Sequence, residues 1–145
     1  MQALPHHYTV TACAEEHTSL QLTGDNLPAL SCAPPKNFGG PGDQWSPEDL
    51  LMASVASCFI LSFRAIANAS KLSWQQINCQ SEGILDKVER GMQFTQVNTQ
   101  VKLTISNEQD KDKAEKLLHK AEQSCLVLNS MTSQSQLQCE ITVVS

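Results

Sequence analysis

Six thiols are spread along the chain, at Cys13, Cys32, Cys58, Cys79, Cys125 and Cys139. A deprotonated thiol can act as a nucleophile, a metal ligand or a redox centre. No two of these cysteines form a C-x-x-C pair, and the closest, Cys125 and Cys139, are 14 positions apart (139 − 125). That is poor zinc-site spacing, so no metal is expected. His6, His7, His17 and His119 have no helpful spacing with one another and read as solvated or core histidines. Free cysteine behaves as a small hydrophobe and is among the most buried residue types, so core packing is the first reading of Cys13, Cys32, Cys79 and Cys139. Cys58 and Cys125 fall on the inward faces of two expected helices, among small or apolar residues. Composition favours packing for these two as well, with nucleophilic chemistry as the alternative.

The chain has 145 residues and a net charge of −5 without any basic run, which argues against nucleic acid or an anionic membrane surface as its main partner. It is larger than the usual disulfide-stapled domain. Its start, MQALPHHYTVTACAEEH, lacks the positive and apolar regions of a secretory signal. The expectation is a cytoplasmic protein with reduced thiols, folded as one domain over 1–145.

The stretch that positions Cys58 runs from Ser46 to Lys71. From Leu50 to Phe63 its polar side chains are all serines, which suits a buried helix. Ser46 is a good N-cap and Pro47 fits the first helical position. Glu48 and Asp49 place negative charge on the positive end of the dipole, and Lys71 lies near the other end. The apolar run is shorter than the roughly 20 residues a bilayer needs, and Arg64 and Asn68 interrupt its second half, so no membrane span is expected. This helix must be buried in protein, its own or a partner's.

Before it, Tyr8–Ala14, Ser19–Thr23 and Ala29–Ala33 read as the strands of a β-meander, followed by the loop PPKNFGGPGDQW. After it, Trp74–Glu89 and Met92–Ser106 read as a long antiparallel hairpin turning at Glu89-Arg90-Gly91. Its second strand changes phase: Met92 and Phe94 are apolar at even positions, Val97, Val101, Leu103 and Ile105 at odd ones. A bulge near Gln96 would keep both sets buried. Ser106 with Gln109 looks like a capping box. Ala114, Leu117, Leu118, Ala121, Cys125 and Leu128 then follow helical spacing, and Leu137, Cys139, Ile141 and Val143 alternate as a last strand.

Two separated stretches, SPEDLL with ASCFILSFRAIA between Ser46 and Ala67 and CLVLNS from Cys125 to Ser130, resemble the OsmC/Ohr family of osmotically inducible and organic hydroperoxide resistance proteins. The order of strands and helices follows the same pattern over nearly the whole chain. The resemblance implies an α+β fold, with curved antiparallel sheets around a long central buried helix, in an intertwined homodimer with two active sites at its interface. It implies a peroxidatic thiolate at Cys58, a resolving thiol at Cys125, and a role for Glu48 in holding a catalytic arginine. It also implies an organic hydroperoxide substrate, a dithiol reductant and no cofactor. Phe38, Trp45, Phe59 and Met131 are candidate apolar neighbours of the substrate.

Two features bear on that site. Glu48 and Cys58 are 10 residues apart (58 − 48), about 15 Å along a continuous helix, so one chain cannot bring them together without a helix break. A thiolate three turns inside a helix is beyond the reach of its N-terminal dipole, so a cation is expected to supply the shift. Relatives place an arginine before the central helix. Here the only arginines are Arg64 and Arg90, both later, and Lys36 is the nearest basic residue, with Arg64 the other candidate. Lysine lacks the planar fork that grips a carboxylate. Leu126 also stands where relatives often carry proline. The expected function is a thiol peroxidase for organic hydroperoxides; the alternative is a non-catalytic dimer of the same fold that binds a small apolar ligand.

Overall fold

In the computed structural model, which describes residues 1–144, the chain forms two compact units, the first ending at Leu51 and the second beginning at Met52. The first holds an antiparallel meander of β1 (Thr11–Cys13), β2 (Leu20–Thr23) and β3 (Leu30–Cys32), in the order β1-β2-β3. These strands are shorter than their apolar patterns suggest. Past Cys32 the backbone pairs with Trp45 rather than with a strand, the Ala33 N–H donating to the Trp45 carbonyl at 2.8 Å. Lys36–Phe38 make a single 3-10 turn closed by Gly39 in the left-handed region, φ +85°.

Helix α1 runs unbroken from Pro47 to Ala69. Ser46 caps it: its Oγ accepts from the Asp49 N–H at 3.0 Å, while the Asp49 carboxylate accepts from the Ser46 N–H at 3.3 Å and its hydroxyl at 2.9 Å. This is a capping box with aspartate in the third position. At the other end Lys71 does more than complement the dipole. It adopts φ +57°, and the Leu72 N–H returns to the Ala67 carbonyl at 2.9 Å, which ends the helix as a Schellman turn with lysine where glycine is usual. Val55, Phe59, Phe63 and Ala67, spaced by four, are fully buried. The opposite face, Ser57, Leu61, Arg64, Ala65 and Asn68, is exposed in the single chain.

In the second unit β4 (Gln76–Val88) and β5 (Gly91–Ile105) form the expected hairpin, with Val88 paired to Gly91 across Glu89-Arg90. Ile84 faces Gln96 but Leu85 faces Phe94, so Thr95 is the extra residue of a bulge, one position from where the change of phase locates it. Beyond the bulge Val97, Val101, Leu103 and Ile105 all enter the core. Met92 does not; it is 64% exposed. The reason is the third strand, β6 (Gln134–Val143), which pairs with β5 only from Gln96 onward and leaves the hairpin tip two-stranded. β6 runs parallel to β5, so this sheet is mixed, whereas the meander is antiparallel as expected. The parallel pairing follows from the helical crossover, which returns the chain to the same end of the sheet.

That crossover holds α2 (Lys111–Ser124), preceded by a 3-10 turn over Glu108–Asp110. The cap is Asn107, not Ser106: its side-chain oxygen accepts from the Gln109 N–H at 3.0 Å. Ala114, Leu118 and Ala121 are buried against Phe59, Phe63, Val101, Leu103 and Ile105 in the main core. A second, smaller cluster of Val55, Val97, Cys125 and Leu128 lies under half-buried Met52, Cys58, Val127 and Met131.

Candidate active site

The smaller cluster brings together two of the six thiols. Cys58 comes from α1, half-buried, and Cys125 is fully buried. Helical spacing places Cys125 on an inward helix face, but the structure corrects this. α2 stops at Ser124, Cys125 is extended (φ −70°, ψ 104°), and a separate turn of helix, α3 (Leu126–Asn129), begins after it. The side chain points inward as the period requires, so the stripe continues across a break that the pattern does not reveal.

The break has a chemical consequence. The first N–H groups of a helix lack intrahelical partners, and those of Val127 and Leu126 face the Cys58 sulfur. Burial raises the Cys58 thiol, but hydrogen bonding from the Val127 N–H, the Cys125 thiol, the Ser62 hydroxyl and the Leu126 N–H outweighs it, so its pKa lies below the ordinary value. Neutral donors thus supply the shift for which a cation is expected from the sequence. Cys125 goes the other way. Burial, then the hydrogen bond and the negative charge of Cys58, raise its pKa, against the lowering effect of the Leu128 and Val127 N–H groups. The arrangement makes Cys58 the thiol that ionises first and keeps Cys125 protonated beside it.

Around the pair the walls are apolar: Met52, Val55, Val97, Val127, Leu128 and Met131. Gly83, opposite Val97 on β4, has no side chain because Met52 and Phe94 occupy the space. A Cβ there would lie 2.8 Å from the Met52 Sδ and 2.9 Å from the Phe94 ring. Of the apolar residues singled out in the sequence, Met131 packs in this cluster, and Phe59 is sealed in the main core. Phe38 and Trp45, about half exposed, belong to the first unit.

Lys36 and Glu48 also belong to the first unit, whereas the thiol pair belongs to the second. Lys36 is exposed, with its aliphatic stem beside Gly42. Glu48 is half-buried, and its Oε1 is shielded from solvent without a hydrogen-bond partner. Cys79 and Cys139 flank Val101 in register on the neighbouring strands. Burial pushes each to about 11. Ser81 opposes that rise at Cys79 while the charges of Cys125 and Cys139 add to it; Glu115 and Glu122 add to it at Cys139. These are packing thiols, as expected. Sequence reasoning missed Ser62 and the amides of Leu126 and Val127. Ser62 could have been found, since it lies one helical turn after Cys58; the amides have no side-chain signal.

A family model of OsmC-like proteins matches residues 40–140. The uncharacterised protein YmaD of Bacillus subtilis is 27% identical over 112 residues, 75% of each chain. Among solved structures, an OsmC-like protein of unknown function from Vibrio cholerae superposes with a TM-score of 0.84 at 16% identity, over 94% of this chain and all of the other. An organic hydroperoxide resistance protein OsmC from Legionella pneumophila is 28% identical, with a TM-score of 0.75 over 98% of this chain and 100% of its own. The thiol-bearing helix, the second thiol and all of the mixed sheet but the end of β6 fall within the matched residues, and the chain belongs to the OsmC-like protein family.

Proposed function

We propose that this protein is a thiol peroxidase that reduces organic hydroperoxides. The carrying observation is that Cys58 and Cys125 pack together in one small apolar cluster, and hydrogen bonding that outweighs burial to lower the Cys58 pKa, while burial raises that of Cys125, supports it. The Cys58 thiolate attacks the peroxide O–O bond. One oxygen stays on sulfur as sulfenic acid, and the other leaves as an alkoxide that takes a proton to become the alcohol. Sulfenic acid is neutral, so the charge that held Cys125 protonated is then gone. The Val127 N–H, which favours both thiolates, together with that of Leu128, is left to stabilise Cys125. The Cys125 thiolate attacks the Cys58 sulfur, water leaves, and a Cys58-Cys125 disulfide forms. An external dithiol reopens it and is itself oxidised to a disulfide. None of these steps calls for a metal or organic cofactor. The apolar walls suit an alkyl substituent on the peroxide, and relatives named organic hydroperoxide resistance proteins support that substrate class.

The working form in this reading is a homodimer. The exposed face of α1 carries Leu61, 57% exposed, on a helix apolar enough to need covering, and a second copy is the natural cover. Such a dimer also gives Glu48 a route to the site, because α1 has no break that would let it reach Cys58 of its own chain. Its unpartnered oxygen calls for a donor, and Lys36 or Arg64 of the second copy are the candidates. The test is turnover of an alkyl hydroperoxide with a dithiol: saturable turnover lost in Cys58→Ser supports the proposal. Loss of Cys58 thiol no faster than that of free cysteine contradicts it and favours a non-catalytic ligand-binding dimer.

A further inference from the structure

Strand β4 carries a glycine in its interior, Gly83. Glycine weakens a strand and often marks the close approach of another group. Here two groups approach. The Cε and Sδ atoms of Met52 each lie 2.8 Å, and Cδ1 of Phe94 2.9 Å, from the point where a Cβ on Gly83 would stand. Carbon atoms pack at about 3.5–4.0 Å, so an alanine cannot coexist with both side chains as they lie. Since both are within 3.0 Å of one point, the thioether and the ring also lie against each other, a pairing that sulfur and aromatic edges favour.

The register explains how they meet. Val97 faces Gly83, and the bulge at Thr95 sets Phe94 opposite Leu85, diagonal to Gly83 on the same face and within reach of an aromatic ring. Met52 comes to the same spot from α1. It stands three residues before Val55, which stands three before Cys58, so the thioether and the thiol flank Val55 on the helix. Met52 and Cys58 both pack against the cluster that holds Val97, Cys125 and Leu128. Met52 is therefore a wall of the thiol site whose end is seated on the sheet, in the notch over Gly83.

Methionine is unbranched, has three rotatable bonds and fills whichever gap is open to it. With the notch open, its end lies over β4; with the notch filled, that end has to go elsewhere. We propose that Gly83 is a specificity-determining position of the thiol site: it seats the end of Met52 on the sheet and so leaves width beside Cys58 for a branched or aromatic substituent on the hydroperoxide. The proposal deepens the peroxidase reading and rests on it for the substrate.

The test compares a small and a bulky reagent at Cys58, iodoacetamide and N-benzyl iodoacetamide, followed residue by residue by mass spectrometry in the full chain. One methylene too many in an apolar pocket costs about tenfold, so Gly83→Ala should react about tenfold more slowly with the benzyl reagent while keeping the wild-type rate with iodoacetamide. Gly83→Ala/Met52→Ala, in which there is no side-chain end to displace, should recover the benzyl rate. Met52→Ile leaves the strand untouched and nearly conserves volume, and its branched, stiffer side chain cannot extend into the notch. It should show the same selective loss, and it decides the matter if Gly83→Ala does not fold. A merely structural glycine would lower the thermal midpoint on replacement without separating the two reagents. A folded Gly83→Ala, or a Met52→Ile, that keeps the wild-type ratio of the two rates overturns the proposal. In turnover the same loss should appear as a KM raised more for cumyl than for tert-butyl hydroperoxide. Neither alkylating reagent is a peroxide: a selective loss in a protein that turns over no hydroperoxide would sink the peroxidase reading and leave the notch standing as the feature that sets access to Cys58.

Discussion

Replacing Leu126 with proline removes one backbone donor from the thiol site while leaving the site otherwise built. Leu126 is the first residue of α3, where proline is well tolerated, and Cys125 before it is already extended at ψ 104°, as a residue preceding proline must be. The leucine side chain is 69% exposed, so little packing is lost, and stability should stay within about 0.5 kcal/mol of wild type. The lost N–H is one of the four donors to Cys58, and the Val127 N–H, with the larger effect, remains. A hydrogen bond to a charged group is worth about 1.5 kcal/mol, roughly tenfold in thiolate fraction, and the compensating gain in nucleophilicity reduces this to about threefold in rate at pH 7. The assay is the pH dependence of Cys58 alkylation, with the thermal midpoint as a check on folding. An inflection moved upward in a protein of unchanged stability is expected. An unmoved inflection with the fold intact would refute the assignment of backbone amides as the source of the shift.

Cys79 and Cys139 titrate near 11 when folded, against a reference of 9.0 for an unperturbed thiol. Because the folded value is the higher, their contribution is fully present below about pH 9 and is lost as pH rises toward 11. Thermal melts should show stability falling over that window, less steeply in Cys139→Ala; a flat limb in wild type would contradict the burial of these thiols. Leu61→Asp puts a charge in the middle of the exposed face of α1, and sedimentation should show it as a monomer at concentrations where wild type is expected to sediment as a dimer. A wild type that sediments as a monomer at micromolar concentration would remove the second copy from the account.

The elements were legible because each has a local signal. The four-residue spacing of Val55, Phe59, Phe63 and Ala67 marks α1, the S-P-E-D start marks its cap, and the change of phase between Phe94 and Val97 marks the bulge to within a residue. The pattern puts the cap at Ser106, whereas Asn107 caps the 3-10 turn that leads into α2, because both side chains can cap and only the backbone path chooses between them. The parallel direction of β6 depends on where α2 delivers the chain, which no alternation within Leu137–Val143 encodes. The thiols were identifiable from their helical positions and neighbouring motifs, but the means of activating Cys58 was not. Leu118, Ala121, Cys125 and Leu128 keep a helical period through a break at Cys125, so the amides freed by that break leave no trace in residue type. A search for charged side chains leads to Lys36 and Arg64, whereas the shift at Cys58 within this chain comes from two amides, a hydroxyl and a thiol.

If Cys58 and Cys125 act on one another, mass spectrometry of the reduced protein after one equivalent of an alkyl hydroperoxide will show it. Disulfide geometry requires the two Cα atoms to come within about 7 Å, and Cys58 and Cys125 pack in the same small apolar cluster. A Cys58-Cys125 disulfide is expected in wild type, and in Cys125→Ser a Cys58 sulfenic acid that goes on to overoxidise because nothing resolves it. A wild-type protein with both thiols still free after that treatment would contradict this pairing.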